Sequence, residues 1–264
     1  MAPSLAVTGA LYTADGDSFV PSEHTRGPWD PAAQHAGPPA ALLGRAFELL
    51  PSDGPSLVVR VTVDLLRPVP LQPLQVAAEV ERPGRRTQLL RGTISAGGVE
   101  LARARAVRMR RSSNRFSGGT GATEAPAPSA SVPFEPADAG PAFHLTGVEM
   151  RFAAGSFEEL GPSFVWIRLR VPLVEGEAPS PLQRALAAAD FGNGVSAVLD
   201  WEHHLFINAD LTVHLLRPPE GEWVALNARS WLDAGGTGLA HSVLHDTAGP
   251  CGLAVQSLLV DRRR

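Results

Sequence analysis

Val61-Thr62-Val63-Asp64-Leu65-Leu66-Arg67-Pro68 returns as Leu211-Thr212-Val213-His214-Leu215-Leu216-Arg217-Pro218, 150 positions later (211 minus 61). Both strings carry the alternation of a half-buried strand and stop at Arg-Pro. Two copies of one structural unit are the simplest source of such a repeat. The match extends outward: Thr87 and Thr237 share the offset, and each copy closes on an apolar strand running into arginines, at 101–111 and 253–264. Upstream, Gln34-His35-Ala36-Gly37-Pro38-Pro39-Ala40-Ala41-Leu42 aligns with Ala189-Asp190-Phe191-Gly192-Asn193-Gly194-Val195-Ser196-Ala197, which sets His35 opposite Asp190 at an offset of 155. Each copy reads as a helix followed by several strands, so the chain reads as a tandem duplication.

Length and composition bound what such a chain can be. The 264 residues suit two units fused around a shared core. A net charge of −4 and a pI near 6.1 give no electrostatic reason to expect a nucleic-acid partner. All 23 basic residues are arginine. Without lysine there is neither a Walker-type phosphate loop nor a Schiff base. One cysteine, Cys251, excludes an internal disulfide and a cysteine zinc cluster, and reads as a structural thiol. No basic-then-apolar leader and no run of about 20 apolar residues is present, so the expectation is a cytoplasmic protein with no membrane partner.

The pattern predicts a strand pair at 6–13 and 18–21 and a helix over 38–50 with a one-sided apolar stripe of Leu42, Leu43, Ala46, Leu49 and Leu50. Strands are expected at 56–66, 74–83, 85–96 and 99–110. In the second copy strands are expected at 146–152 and 163–173, a helix over 181–198, and strands at 205–216, 223–233, 238–246 and 253–260. Residues 112–142 are rich in Ser, Gly, Ala and Pro and read as a linker. The domain reading is therefore a first unit at 1–111, a connection at 112–145 and a second unit at 146–264.

At this point the chain resembles the TesB-type double-hotdog acyl-CoA thioesterases, in a branch common in actinobacteria. The resemblance rests on Trp29, on Gln34–Leu43, on Phe206-Ile207-Asn208-Ala209-Asp210-Leu211-Thr212-Val213-His214-Leu215, and on Ala254-Val255-Gln256-Ser257. It implies an α+β double hotdog, each unit an antiparallel sheet wrapped round a central helix, and hydrolysis of an acyl-CoA substrate. It also implies that Asp190, Asn208 and Gln256 together hold the attacking water. Asn208 stands where the type enzymes carry Thr; its amide can orient a water but cannot ionise.

The residues can also be read on their own terms. Thioester hydrolysis needs a base, a water and donors for the oxyanion, and calls for no cofactor and no metal. Asp190 lies among Ala185–Ala189 and Phe191 with few local partners, a setting that suits a base. Asn208 and Gln256 are polar breaks in apolar strands, which cost stability unless they meet partners. Ala36 and Gly37 open the first helix, where unpaired N–H groups offer an oxyanion site, and His35 beside them reads as shaping that site. The first copy has Val58 opposite Asn208 and, allowing one inserted residue, Arg105 opposite Gln256, so one working site is expected.

Other motifs fall away. Asp190-Phe191-Gly192 lacks the companions of a kinase, and Gly194-Val195-Ser196-Ala197-Val198 lacks the closing Gly of a nucleophile elbow. Gly235-Gly236-Thr237-Gly238 precedes a strand and reads as a hairpin turn. His203 and His204 have no metal-ligand spacing, and alternation points them to opposite faces. Trp29, Trp201, Trp223 and Trp231 read as core or rim, with an acyl groove as the functional use. Two further classes stay open: a non-catalytic acyl-CoA or acyl-carrier binder, and a hotdog hydratase or dehydratase. Pairing of exposed sheet edges makes a homo-oligomer the expected assembly.

Overall fold

The duplicated string forms the seam of the molecule. In the computed structural model, which describes residues 9–114, 125–135 and 140–263, Thr62 pairs with Thr212, Val61 with Val213 and Val63 with Leu211 in an antiparallel ladder. The two threonine hydroxyls lie 3.2 Å apart, so the axis relating the units passes between corresponding residues of the repeat. The elements in chain order are β1 (Tyr12–Asp15), β2 (Ser18–Pro21), α1 (Gly37–Leu49), β3 (Ser56–Leu65), β4 (Leu74–Arg82), β5 (Thr87–Ala96) and β6 (Val99–Arg110). Then come β7 (Val132–Pro133), β8 (Val148–Ala154), β9 (Ser163–Leu169), α2 (Pro181–Ala189) and α3 (Gly192–Val195). The last strands are β10 (His204–Asn208), β11 (Asp210–Leu215), β12 (Val224–Leu232), β13 (Thr237–Asp246) and β14 (Gly249–Arg262).

One sheet runs β1-β2-β4-β5-β6-β3-β11-β14-β13-β12-β9-β8-β7, with β10 also pairing β14. Read outward from β3 and β11, the two halves repeat the same order, which is the α+β double hotdog. Both helices are enclosed by it. α1 packs on β3, β4 and β5, α2 packs on β9, β11, β12 and β13, and the helices pack on each other. Ala102, Ala104 and Ala106 line the inner face of β6, leaving room for a helix, while Arg103 and Arg105 point outward. Gly37 and Gly44 set the spacing of α1 against α2: a Cβ at Gly37 would meet the Ala187 carbonyl at 2.6 Å, and one at Gly44 the Leu186 side chain at 2.5 Å.

Several expected boundaries shift. Residues 6–8 of the first expected strand lie outside the described part, and the observed strand starts at Tyr12; Leu11 and Tyr12 instead donate to Pro172 and Leu173 of the other unit. The strand expected over 163–173 ends at Leu169, and Pro172 and Leu173 accept from Leu11 and Tyr12 beyond it. The expected stripe on α1 is not one-sided, because sheet and partner helix cover it together. Gly37–Gly44 are buried throughout, and Leu49 ends up 67% exposed. The helix expected over 181–198 breaks after Ala189 and resumes at Gly192. The strand expected over 205–216 is two strands, because Ala209 and Asp210 share one position opposite β14, a bulge. Within 112–142, residues 115–124 and 136–139 lie outside the described part; β7 pairs with β8, and the Trp166 indole donates to the Pro126 carbonyl at 2.8 Å. Among the described residues no helix is long and apolar enough to cross a membrane.

Candidate active site

Asp190, Asn208 and Gln256 come together. Asp190 caps the carboxyl end of α2 with its backbone still helical (φ −71°, ψ −10°), and the break there turns its side chain towards β10 and β14. Asn208 is the last residue of β10, immediately before the bulge, and Gln256 lies inside β14. The Asn208 amide donates to Asp190 Oδ1 at 2.7 Å, and the Gln256 amide donates to the same oxygen and to the Asp190 carbonyl, each at 3.3 Å. All three residues are buried.

The orientations of the two amides are themselves held. Gln256 Oε1 accepts the Asn193 N–H at 3.0 Å, and Asn208 also donates to the Asp210 carbonyl at 3.3 Å. Asn193, whose own amide donates to the Phe206 carbonyl at 2.8 Å, was not among the residues expected here. The signal was a buried polar residue between two glycines, which is indistinguishable in sequence from a helix end. Gly192 is what allows the approach: a Cβ there would meet Gln256 Oε1 at 2.7 Å.

His35 completes the group from the other unit. Its Nδ1 lies 2.8 Å from Asp190 Oδ2, with side chains only 10% and 3% exposed. The pairing in the repeat is thereby corrected. α1 begins at Gly37 and α2 at Pro181, so His35 precedes one helix and Asp190 follows the other. They are neighbours across antiparallel helices, not equivalent positions. Nδ1 also lies 3.2 Å from the Gly37 N–H. One ring nitrogen cannot donate to the carboxylate and accept from Gly37 at once. The shorter contact, to a carboxylate oxygen, favours the Nδ1–H tautomer, in which the Gly37 N–H directed at the same nitrogen has no acceptor there. Ala36, the residue before α1, contributes no side-chain hydrogen bond to the helix start.

An aromatic shell surrounds the constellation. The His35 ring packs on Phe191 (4.5 Å) and Phe143 (5.1 Å). Beside Asn208, Trp29 stacks on Trp201 at 4.6 Å and both meet Phe206, two residues before Asn208 on the same side of β10. Trp223 lies under Arg151 and Arg168, and Trp231 is 48% exposed; neither adjoins the site. His203 and His204 do not diverge as alternation predicts, because β10 starts only at His204. Both rings reach the Asp200 carboxylate, at 2.7 and 2.9 Å. Among the described residues no grouping of His, Cys, Asp or Glu is placed to hold a metal ion.

The first unit is built differently at the matching place. Leu90 pairs with Ala106 where Ala240 pairs with Gln256, so the offset of 150 holds without an insertion and Gln256 corresponds to Ala106, not Arg105. Even the bulge is shared, since β3 slips register against β6 between Val58 and Arg60. At the carboxyl end of α1 the buried Arg108 donates to the carbonyls of Leu50 (2.8 Å) and Pro51 and to Gln88. A guanidinium thus closes one helix where a carboxylate with two amides closes the other.

A model of the acyl-CoA thioesterase N-terminal domain matches residues 25–109, and one of the acyl-CoA thioesterase C-terminal domain matches residues 122–260. The chain belongs to the acyl-CoA thioesterase family. It is a thioester hydrolase. Solved structures share the fold of this thioesterase. A conserved protein of unknown function with a hot dog fold from Alicyclobacillus acidocaldarius is 18% identical, with 96% of each chain covered and a TM-score of 0.74. Acyl-CoA thioesterase II TesB2 from Mycobacterium marinum is also 18% identical, covering 86% of this chain and 88% of its own, with a TM-score of 0.63. The tesB protein of Mycobacterium avium subspecies paratuberculosis is 16% identical over 95% and 96%, again with a TM-score of 0.63. A search of curated proteins gave no match.

Proposed function

We propose that this thioesterase hydrolyses acyl-CoA with Asp190 as general base and Asn208 and Gln256 orienting the water. The observation that carries the reading is the meeting of these three side chains at one nearly closed spot, with His35 on the second carboxylate oxygen. Asp190 takes a proton from water as the oxygen attacks the thioester carbonyl. The carbonyl oxygen gains the charge and is met by the Gly37 N–H at the positive end of α1. Collapse breaks the C–S bond, and the CoA thiolate leaves with the proton held by Asp190. Atoms balance: acyl-CoA and water give the free acid and CoA. Trp29, Trp201 and Phe206 form the apolar wall along which the acyl chain enters. In the same reading 1–111 and 146–264 are the two hotdog units, joined by 112–145.

A thiol-release assay over short, medium and long acyl-CoAs tests this. One equivalent of free CoA should appear per equivalent of acid. Tight binding with no thiol released would instead make the protein an acyl carrier. The 2.8 Å contact of His35 with Asp190 also favours a second reading, hydration of an enoyl-CoA, since hotdog hydratases pair these residue types. Loss of the conjugated absorbance of a 2-enoyl-CoA without thiol release would identify that chemistry.

A further inference from the structure

The first unit's counterpart of the candidate site is not filled. A cavity of about 310 Å³ lies there, walled by Leu57, Val58, Leu182 and Leu215, with Glu48, Ser52, Ser56 and Arg108 as its polar lining. Its elements answer those of the Asp190 site one for one: the end of α1 for the end of α2, β3 for β10 and β11, β6 for β14, the start of α2 for the start of α1. Val58 and Ala106 replace Asn208 and Gln256, so the water-holding pair is missing, and the one carboxylate on the cavity, Glu48, is held by Ser180 and Gln183 of α2. The rest of the lining is mainly apolar wall, with the guanidinium of Arg108. Ser52, Ser56 and Arg108 also line an adjoining cleft that carries Arg85, Arg86 and Arg110, together with Asp53. Among the described residues no carboxylate pairs with Arg85, Arg86 or Arg110, whereas their neighbours Arg91, Arg103 and Arg105 each have one. Glu48 at the cavity rim is turned to Ser180 and Gln183 of α2.

We propose that this cavity and its arginine cleft form a second, non-hydrolytic site for an acyl chain bearing a phosphate-rich head group. The apolar wall takes the chain, a volume at the lower end of ordinary ligand pockets. The three unpaired guanidinium groups take the phosphates, which match their planar donors. Exposed single carboxylates would satisfy only one of them.

Calorimetric titration with S-dodecyl-CoA, a thioether that cannot be hydrolysed, tests the proposal. Plugging the junction by Ser56→Trp should remove one equivalent of binding. Arg85→Ser with Arg110→Ser, both exposed and remote from Asp190, should weaken that equivalent about tenfold and reduce its salt dependence. Retention of every equivalent in a folded Ser56→Trp protein, with unchanged affinity in the arginine variant, overturns the proposal. So does equal affinity for CoA without a chain, or for dodecanoate without phosphates. The readout is the equivalent lost on plugging the first unit, not turnover, so it stands apart from the hydrolytic reading of Asp190.

Discussion

Asp190 places an anion at the carboxyl end of α2, where the helix dipole opposes it by about 0.3–1 kcal/mol. Donors from Asn208, Gln256 and His35 offset that cost. Removing one of them by Asn208→Ala should lower kcat roughly 10²-fold while the protein still folds, as expected when one oriented donor is lost from a closed site. Rates within a factor of two of the wild type would show that Asn208 only satisfies the bulge. Cys251 makes the opposite case, a nucleophile type with no chemical role. It is buried on β14, and burial pushes its thiol up to about 12. Thiol reagents should leave it unlabelled in the native protein near pH 8 and label it on unfolding; rapid native labelling would contradict this. Asp190, Asn208 and Gln256 were legible as polar interruptions of apolar runs. His35 was not legible as their partner, because a contact across two helices leaves no local spacing to read.

At the scale of elements, two irregularities aim the site. The break between α2 and α3 turns Asp190, and the bulge at Ala209 lets Asn208 face inward on β10 while Leu211, Val213 and Leu215 face inward on β11. That switch from even to odd positions is written in the sequence, and Val58 followed by Val61 and Val63 shows it again. Continuous strand alternation was assumed across it, which is why one strand was expected where two exist. The helix break was hidden because Gly192-Asn193-Gly194 fits a helix end as well as a kink. Gly192→Ala tests the element directly. The new Cβ displaces the Gln256 amide, and a misplacement of about 1 Å is worth up to about 10²-fold in rate. Activity should fall steeply with little change in melting temperature. Equal losses in both would make Gly192 a packing residue only.

For the whole molecule, the repeat supplied the architecture because its strings are the strands that pair across the axis. The difference between the two units was legible as well, from Val58 standing for Asn208, although the partner of Gln256 was misaligned by one residue. Acid stability is also a property of the assembled chain. His144, in the turn between the connection and β8, has its pKa lowered to about 4 from the ordinary 6.5, first by burial and then by the charge of His35. The folded state thus holds fewer protons than the unfolded one between those values. Its contribution is full above about pH 6.5 and is lost as pH falls towards 4. The melting temperature should drop across that window, and His144→Gln should flatten part of the drop; parallel curves would remove His144 as the cause. The central claim is a single hydrolytic centre built on one carboxylate, and the residual rate of thiol release by folded Asp190→Asn measures it most directly. The first unit offers Val58 and Ala106 in place of the two amides, and its carboxylate Glu48 is tied to Ser180 and Gln183, so the rate should fall by about 10²–10⁴-fold. Turnover at half the wild-type rate or above would contradict the account.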